Sequence, residues 1–280
     1  MLAAIVYHKI LDNRTDRTDP FSISVTKATF LSQVTVLARE FPIIDGRTLV
    51  DEIDEMILSK QLYILFTFDD GYRNSMAVGA EILADHGLRG VGFVSPWHID
   101  HNEDYWWDVL AATEVENITF PHRRAHLMSL PYEVASREVV SQPVREYSYT
   151  DSIAGWDTLR ATSPVLDFAC HGYRHDPPSA VPVLQWLRDL RKAKRRFTEE
   201  EITPLPIIAY PYGSPDSVTD DHVLVAASEF KLGFVGAHRI AKPSDEALWR
   251  WKLPRIFASN RSGEALYSNL MAWVERLESS

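Results

Sequence analysis

Cysteine is almost absent from this chain of 280 residues, which contains Cys170 alone. A single cysteine excludes an intramolecular disulfide and a zinc cluster built on several cysteine ligands. It fits a reducing compartment without requiring one. We interpret Cys170 as a small buried core residue rather than as a soft metal ligand.

Acidic residues outnumber basic ones, 39 to 29, and long apolar runs are scarce. The formal net charge is −10, which disfavours nucleic acid or an anionic membrane surface as the main partner, because both attract clustered positive charge. The one basic stretch, 188–196, is accompanied by apolar residues at helical spacing, Leu184, Leu187, Leu190 and Phe197. We interpret the basic residues as the solvated face of a helix. No apolar run approaches the ~18–20 residues that span a bilayer. We therefore expect no integral membrane segment.

The N-terminus lacks the shape of a signal peptide. Its apolar stretch, 2–6, ends before the polar residues that follow, whereas the hydrophobic region of a signal runs for ~7–15 residues. The expectation is a cytoplasmic protein, although a secreted chain trimmed of its leader would look the same.

Strand and helix patterns alternate along the chain. Short apolar runs that predict buried strands are separated by amphipathic segments that predict helices. Strands are predicted at 3–7, 43–44, 63–68, 91–94, 165–169, 206–209, 232–235 and 255–258. This alternation favours a parallel sheet covered by helices, and seven or eight such strands suggest a barrel with its chemistry at the C-terminal strand ends.

Residues 96–160 have less regular patterns. They predict a helix that opens near 105–108, a short strand at 118–120 and a helix around 131–147. No linker composition brackets this stretch, so we interpret it as an insertion in a single domain that covers 1–280.

Two adjacent carboxylates stand at the end of the predicted strand 63–68, in Thr67-Phe68-Asp69-Asp70-Gly71. Neighbouring residues of an extended chain point in different directions. Asp69 and Asp70 could therefore serve different purposes at one point, one binding a cation while the other handles a proton.

A second polar cluster follows the predicted strand 165–169, where His171 and His175 are four residues apart. If the segment turns helically, both imidazoles lie on one face, a turn rising ~5.4 Å. Two imidazoles and one carboxylate suit Zn²⁺, and also Fe²⁺, Co²⁺ or Ni²⁺. Such a cation would support hydrolysis of an amide or ester.

These motifs occur together with a third block, Ala209-Tyr210-Pro211-Tyr212-Gly213. In this combination the chain resembles the polysaccharide deacetylases, the NodB-like enzymes of carbohydrate esterase family 4. The similarity extends to Val6-Tyr7-His8-Lys9-Ile10 and Leu253-Pro254-Arg255-Ile256. The resemblance is weakest over 110–155, and the pattern is most similar to the poly-N-acetylglucosamine deacetylase type.

The resemblance implies a distorted (β/α)₇ barrel, the NodB-homology fold, and metal-dependent removal of an acetyl group from an N-acetylated sugar or oligosaccharide. Carried over by position, Asp70, His171 and His175 would bind the divalent metal, most simply Zn²⁺. Asp69 would be the general base that activates water.

The third block would line the substrate groove through Tyr210, Pro211 and Tyr212, with the Tyr212 backbone N–H as a candidate oxyanion donor. Many family members have an arginine two residues before the proline-aromatic pair, where this chain has Ala209. That arginine usually orients the base. We expect Arg255, from another strand, to take this place in the groove.

The general acid has two candidates. The family's usual Leu-x-His block near the C-terminus has no clear counterpart here, and His238 is the positional substitute. Members similar to the poly-N-acetylglucosamine deacetylases take their histidine from an N-terminal Tyr-His strand end, which His8 matches. We favour His8.

Other polar and aromatic residues receive less specific interpretations. Trp97, Trp106 and Trp107 could stack on sugar rings or could pack in the core of the insertion. His122 and His126 are interpreted as surface residues, because no strand-end carboxylate accompanies them and the intervening Arg123 and Arg124 would repel a cation.

Two alternative functions stay open at this point. One is hydrolysis of a non-sugar amide or imide on the same barrel. The other is a catalytically silent carbohydrate-binding protein, against which the four intact residues Asp69, Asp70, His171 and His175 argue.

Overall fold

Seven parallel strands close into a barrel in the computed structural model, which describes residues 1–13, 19, 21–114, 120–140, 152–244 and 246–278. In chain order the strands are β1 (Leu2–Tyr7), β2 (Lys9–Leu11), β3 (Ser24–Thr26), β4 (Tyr63–Phe68), β5 (Gly90–Val94), β6 (Leu166–Cys170), β7 (Ile207–Ala209), β8 (Leu232–Val235) and β9 (Leu253–Phe257). The barrel order is β1-β4-β5-β6-β7-β8-β9, with β9 pairing back to β1. The predicted (β/α)₇ barrel is confirmed.

Helices surround the barrel. They are α1 (Lys27–Glu40), α2 (Gly46–Leu58), α3 (Arg73–Asp85), α4 (Pro96–His101), α5 (Trp106–Glu114), α6 (Phe120–Met128), α7 (Tyr132–Val140), α8 (Trp156–Thr162), α9 (Val183–Glu199), α10 (Asp220–Glu229) and α11 (Gly263–Glu278). Thr26 caps α1, since its Oγ1 accepts the Thr29 N–H at 3.0 Å. Helices α4–α8 lie between β5 and β6, where the sequence patterns are irregular; the domain boundaries stay a prediction.

Several local predictions were wrong. Residues 43–44 form no strand and contribute one bridge, Ile43 to Ile64. The short parallel pair β2–β3 was not predicted, because three-residue strands carry too little periodicity. Of the predicted strand 118–120, residues 118 and 119 lie outside the described residues, as do 141–147 of the predicted helix, and Phe120 begins α6.

The basic stretch 188–196 does lie on a helix, α9, but its core-facing side differs from the predicted one. Leu184 is exposed and Leu187 is half-buried. The face that packs inward consists of Trp186, Leu190, Ala193 and Phe197. The buried stripe keeps Leu190 and Phe197 of the predicted face, and Trp186 and Ala193 take the places of Leu184 and Leu187.

The strand register positions the polar residues. Strands β1 and β4 pair from Leu2–Tyr63 to Tyr7–Phe68, so His8 and Asp69 follow at one barrel end. Side chains alternate between the barrel interior and the helices. Leu65 and Leu253 both pack in the interior cluster, and the same alternation turns Asp69 and Arg255 inward.

Within the described ranges, no helix has both the length and the apolar composition that a membrane span needs.

Candidate active site

A cavity of about 300 Å³ opens at the C-terminal end of the barrel strands. Its lining includes the residues predicted to be catalytic or to bind the metal, His8, Asp69, Asp70, His171 and His175. They follow β1, β4 and β6. In the barrel β1 and β4 are neighbours, and only β5 lies between β4 and β6. The barrel thus brings these residues together at one end.

Asp70, His171 and His175 form the tightest group. Their ligand atoms all lie within 4.8 Å of one another, and all three residues are buried. Oδ1 of Asp70 lies 3.4 Å from Nε2 of His171 and 3.2 Å from Nε2 of His175. No aligned hydrogen bond reaches this buried oxygen from the described part of the chain.

His171 has a defined tautomer in its neutral form. Its Nδ1 donates to the Ala209 carbonyl at 2.7 Å, and a carbonyl oxygen only accepts. The Nε2 lone pair therefore faces Asp70. This is how metal-binding histidines are usually oriented, and together with the unpartnered Oδ1 it shows that the donor set fits a divalent cation.

The two histidines do not lie on a helical turn, so the predicted reason for their convergence was wrong. The segment after β6 is a loop in which Gly172 has φ +75° and His175 has φ +60°. A Cβ on Gly172 would also lie 3.2 Å from Cγ of Pro211. The left-handed residues reverse the chain, and this reversal brings His175 back beside His171.

Asp69 forms a buried, bidentate ion pair with Arg255. Nη1 donates to Oδ1 at 2.7 Å and Nη2 donates to Oδ2 at 2.6 Å. The guanidinium lies over the rings of Phe93 and Phe234, 5.3 and 5.7 Å from their centroids. Both partners are about 2 % exposed, so the carboxylate of Asp69 has one fixed orientation.

The surrounding charges set the protonation of the two carboxylates. Burial by itself would raise the pKa of Asp69, but the charges of Arg255 and His171 hold that pKa below its usual value. Burial acts in the same way on Asp70, and the facing imidazoles of His171 and His175 hold its pKa well below its usual value. Both carboxylates are therefore ionised at neutral pH.

The two candidate acids differ in position. His8 is half-buried, lines the cavity, and its carbonyl accepts a hydrogen bond from Ser75 Oγ. His238 is exposed and is not among the residues that line this cavity. The ring of Phe257 stacks with both imidazoles, at 6.1 Å from His8 and 6.5 Å from His238.

The third sequence block is split between the cavity and the core. Tyr210 and Tyr212 line the cavity, whereas Pro211 is buried against Gly172 and is not part of the lining. Tyr212 adopts φ +59° and its hydroxyl accepts the Trp106 Nε1–H at 3.1 Å. The roles of these residues toward substrate stay predictions.

Aromatic side chains enclose His175. The ring centroids of Tyr105, Trp107 and Tyr212 lie 5.3, 4.9 and 4.8 Å from that of its imidazole. Trp106 and Trp107 also line the cavity. These two tryptophans thus form a wall of the site, while Trp97 stacks on His101 away from it, at 4.5 Å.

A buried ion pair behind this wall was missed by the sequence analysis. Lys9 Nζ contacts Asp108 Oδ1, and Tyr72 donates to Asp108 Oδ2 at 2.5 Å. Trp107 Nε1 donates to the Tyr72 hydroxyl at 2.8 Å. Burial raises the pKa of Asp108, which the charge of Lys9 opposes. The only signal in the sequence was that Lys9 lies two residues after Tyr7 and that Asp108 directly follows the aromatic residues 105–107.

Asp108→Ala is expected to lower the free energy of unfolding by ~3–5 kcal/mol, because it leaves the buried ammonium of Lys9 unpaired. Urea unfolding followed by tryptophan fluorescence measures this. The double variant Lys9→Met, Asp108→Leu should recover much of the loss, since it removes both charges at similar volume. A loss below ~1 kcal/mol for Asp108→Ala would contradict a buried pair.

Arg124 received no role from the sequence pattern. With Arg123 it counted only as a positive charge that would repel a cation from His122 and His126. Both histidines are exposed on α6, but Arg124 is half-buried and lines the active-site cavity. Arg124 points from α6 in a different direction from His122 and His126. The irregular sequence pattern of this stretch did not indicate that direction.

A family model described as polysaccharide deacetylase matches residues 59–234. No curated protein matches the chain significantly.

Solved structures match nearly the whole chain. The deacetylase PplD of Streptococcus pyogenes, in complex with acetate, has a TM-score of 0.69 at 15 % identity, covering 96 % of this chain and 97 % of its own. IcaB of Ammonifex degensii has a TM-score of 0.64 at 15 % identity, covering 98 % and 96 %. A de-N-acetylase of Aggregatibacter actinomycetemcomitans has 0.63 at 13 %, covering 96 % and 99 %. At these identities the likeness shows a shared fold.

Proposed function

The chain belongs to the polysaccharide deacetylase family, and from that premise we propose that it removes the acetyl group from an N-acetylated sugar or glycan by hydrolysis. One observation carries the proposal: the buried Oδ1 of Asp70 faces Nε2 of His171 and Nε2 of His175. These three residues would hold a divalent cation, with Zn²⁺ the first choice and Fe²⁺, Co²⁺ or Ni²⁺ the alternatives.

The residues of the cavity divide the reaction between them. A bound cation would polarise the acetyl carbonyl and lower the pKa of a water toward ~7. Asp69, ionised and oriented by Arg255, takes a proton from the attacking water as the new C–O bond forms. His8, in its protonated form, gives a proton to the leaving nitrogen as the C–N bond breaks. The Tyr212 backbone N–H is the candidate donor to the developing oxyanion.

Two observations favour an N-acetyl group. One structural neighbour is described as a de-N-acetylase. An amine is also a poor leaving group unless it is protonated, and His8 lines the cavity with Asp69.

The aromatic wall formed by Trp106 and Trp107 offers apolar surface to the C–H faces of a sugar ring.

Acetate release from N-acetylglucosamine oligomers tests this function and the choice of acid. Metal-free protein should release little acetate, and addition of Zn²⁺ should restore release. In the zinc-loaded protein, His8→Ala should lower kcat by ~10²-fold or more, while the matched variant His238→Ala stays close to wild type. The opposite ranking of the two variants would make His238 the acid.

The same assay separates the alternatives. Bound metal without acetate release from any acetylated sugar would favour hydrolysis of a non-sugar amide. Sugar binding with neither metal nor acetate release would favour a silent carbohydrate-binding protein.

A further inference from the structure

Arg124 is the one positive side chain that α6 brings to the active-site cavity among the residues that line it. It shares this cavity with His8, Asp69 and Asp70. Its guanidinium carbon lies 4.9 Å from the centroid of the Phe21 ring. The positively charged side chain of Arg124 thus lies in the same cavity as the proposed catalytic groups.

The guanidinium of Arg124 has no hydrogen-bond or ion-pair partner within the described ranges, its contact being the ring of Phe21. This is unusual for a half-buried arginine, because partial loss of hydration costs free energy unless an anion or acceptor compensates. Burial accordingly lowers the pKa of Arg124 from its ordinary value. The other arginine of the cavity, Arg255, is paired with Asp69 through both of its Nη atoms.

The acidic groups near Arg124 are engaged elsewhere. Asp19, whose charge acts on Arg124, accepts the Ile23 N–H at 2.9 Å, the Ser24 N–H at 3.0 Å and the Ser24 hydroxyl at 2.6 Å. Asp69 is held by Arg255, and Asp70 faces two imidazoles. Tyr212, which also acts on Arg124, is a neutral phenol.

We propose that Arg124 binds an anionic substituent of the substrate, so that the favoured substrate is an N-acetylated sugar that carries a carboxylate or a phosphate. This inference rests on the proposed deacetylase function and names the substrate class of the same site. The planar guanidinium donates two parallel hydrogen bonds to either anion. An anion bound to Arg124 would supply the counter-charge that the half-buried guanidinium lacks.

Three acetylated sugars test the proposal on the zinc-loaded protein: the neutral disaccharide of N-acetylglucosamine, N-acetylglucosamine 1-phosphate, and N-acetylmuramic acid, which carries a carboxylate. Wild-type kcat/KM should be ~10–100-fold higher for at least one anionic sugar than for the neutral one, the range expected of a hydrogen-bonded charge. The two anionic sugars show whether phosphate or carboxylate is preferred.

Arg124→Gln should remove this preference, mainly through KM, and 0.5 M salt should weaken it in the wild type. The matched variant Arg123→Gln, which changes the neighbouring arginine outside the cavity lining, should keep it. Equal kcat/KM for neutral and anionic sugars, or a preference that survives in Arg124→Gln, would overturn the proposal.

Calorimetric binding of the same three sugars keeps the two proposals distinguishable. If no sugar releases acetate, the proposed function fails. The role of Arg124 then stands if wild-type protein binds an anionic sugar ~10–100-fold more tightly than Arg124→Gln does, and it is overturned if the two affinities are equal.

Discussion

Asp69→Asn is expected to lower kcat for acetate release by as much as ~10⁴-fold while the protein keeps its metal. General base catalysis contributes ~10²–10⁴-fold, and an amide cannot accept the proton. The amide is nearly isosteric and its oxygen can still accept one hydrogen bond from Arg255, so the site should keep its shape, but the thermal unfolding temperature should fall because Arg255 loses its buried counter-charge. Acetate release, metal content and thermal unfolding of the purified variant measure the three parts of this expectation.

A matched control is Asp221→Asn, which makes the same chemical change at an exposed position on α10. It should match the wild type in all three measurements. Near-full, metal-dependent activity of Asp69→Asn would exclude Asp69 as the base. Loss of metal from Asp69→Asn would instead indicate that Asp69 is itself a ligand, which its 3.8 Å distance to His171 Nε2 makes a meaningful alternative.

His175→Ala is expected to abolish tight metal binding, and activity with it. Removing a partner of a metal ligand costs ~10–100-fold in affinity, and loss of one of three ligands should exceed this. The alanine also opens a space between Tyr105, Trp107 and Tyr212, which His175 fills. Zinc retained after dialysis against a weak chelator gives the measurement.

His122→Ala serves as the control, since His122 is exposed on α6 and apart from the cavity lining. It should retain zinc as the wild type does. Stoichiometric zinc in His175→Ala at wild-type affinity would show that the ligand set differs from Asp70, His171 and His175. Added metal in excess is expected to rescue His175→Ala only in part, because two ligands remain.

Strands with a continuous run of apolar residues were predictable from the sequence. The positions of the polar site residues that follow these strands were predictable with them. The run 63–68 forms β4 with the predicted bounds, and Asp69 follows it. The two-residue segment at 43–44 lacked such a signal and forms only a bridge. The loop after β6 shows the limit of spacing arguments, because its left-handed residues, not a helical turn, bring His175 to His171.

The sequence by itself determined which chemical groups stand at the strand ends: Asp69 and Asp70 after β4, His171 after β6 and His8 after β1. This follows because apolar periodicity marks strands and the polar residue that interrupts it marks their ends. Only the tertiary structure decided the partners. Arg255 meets Asp69 across 186 residues, and Arg124 enters the cavity from an irregular stretch. Such contacts depend on barrel closure and on the direction of each side chain, which no local pattern encodes.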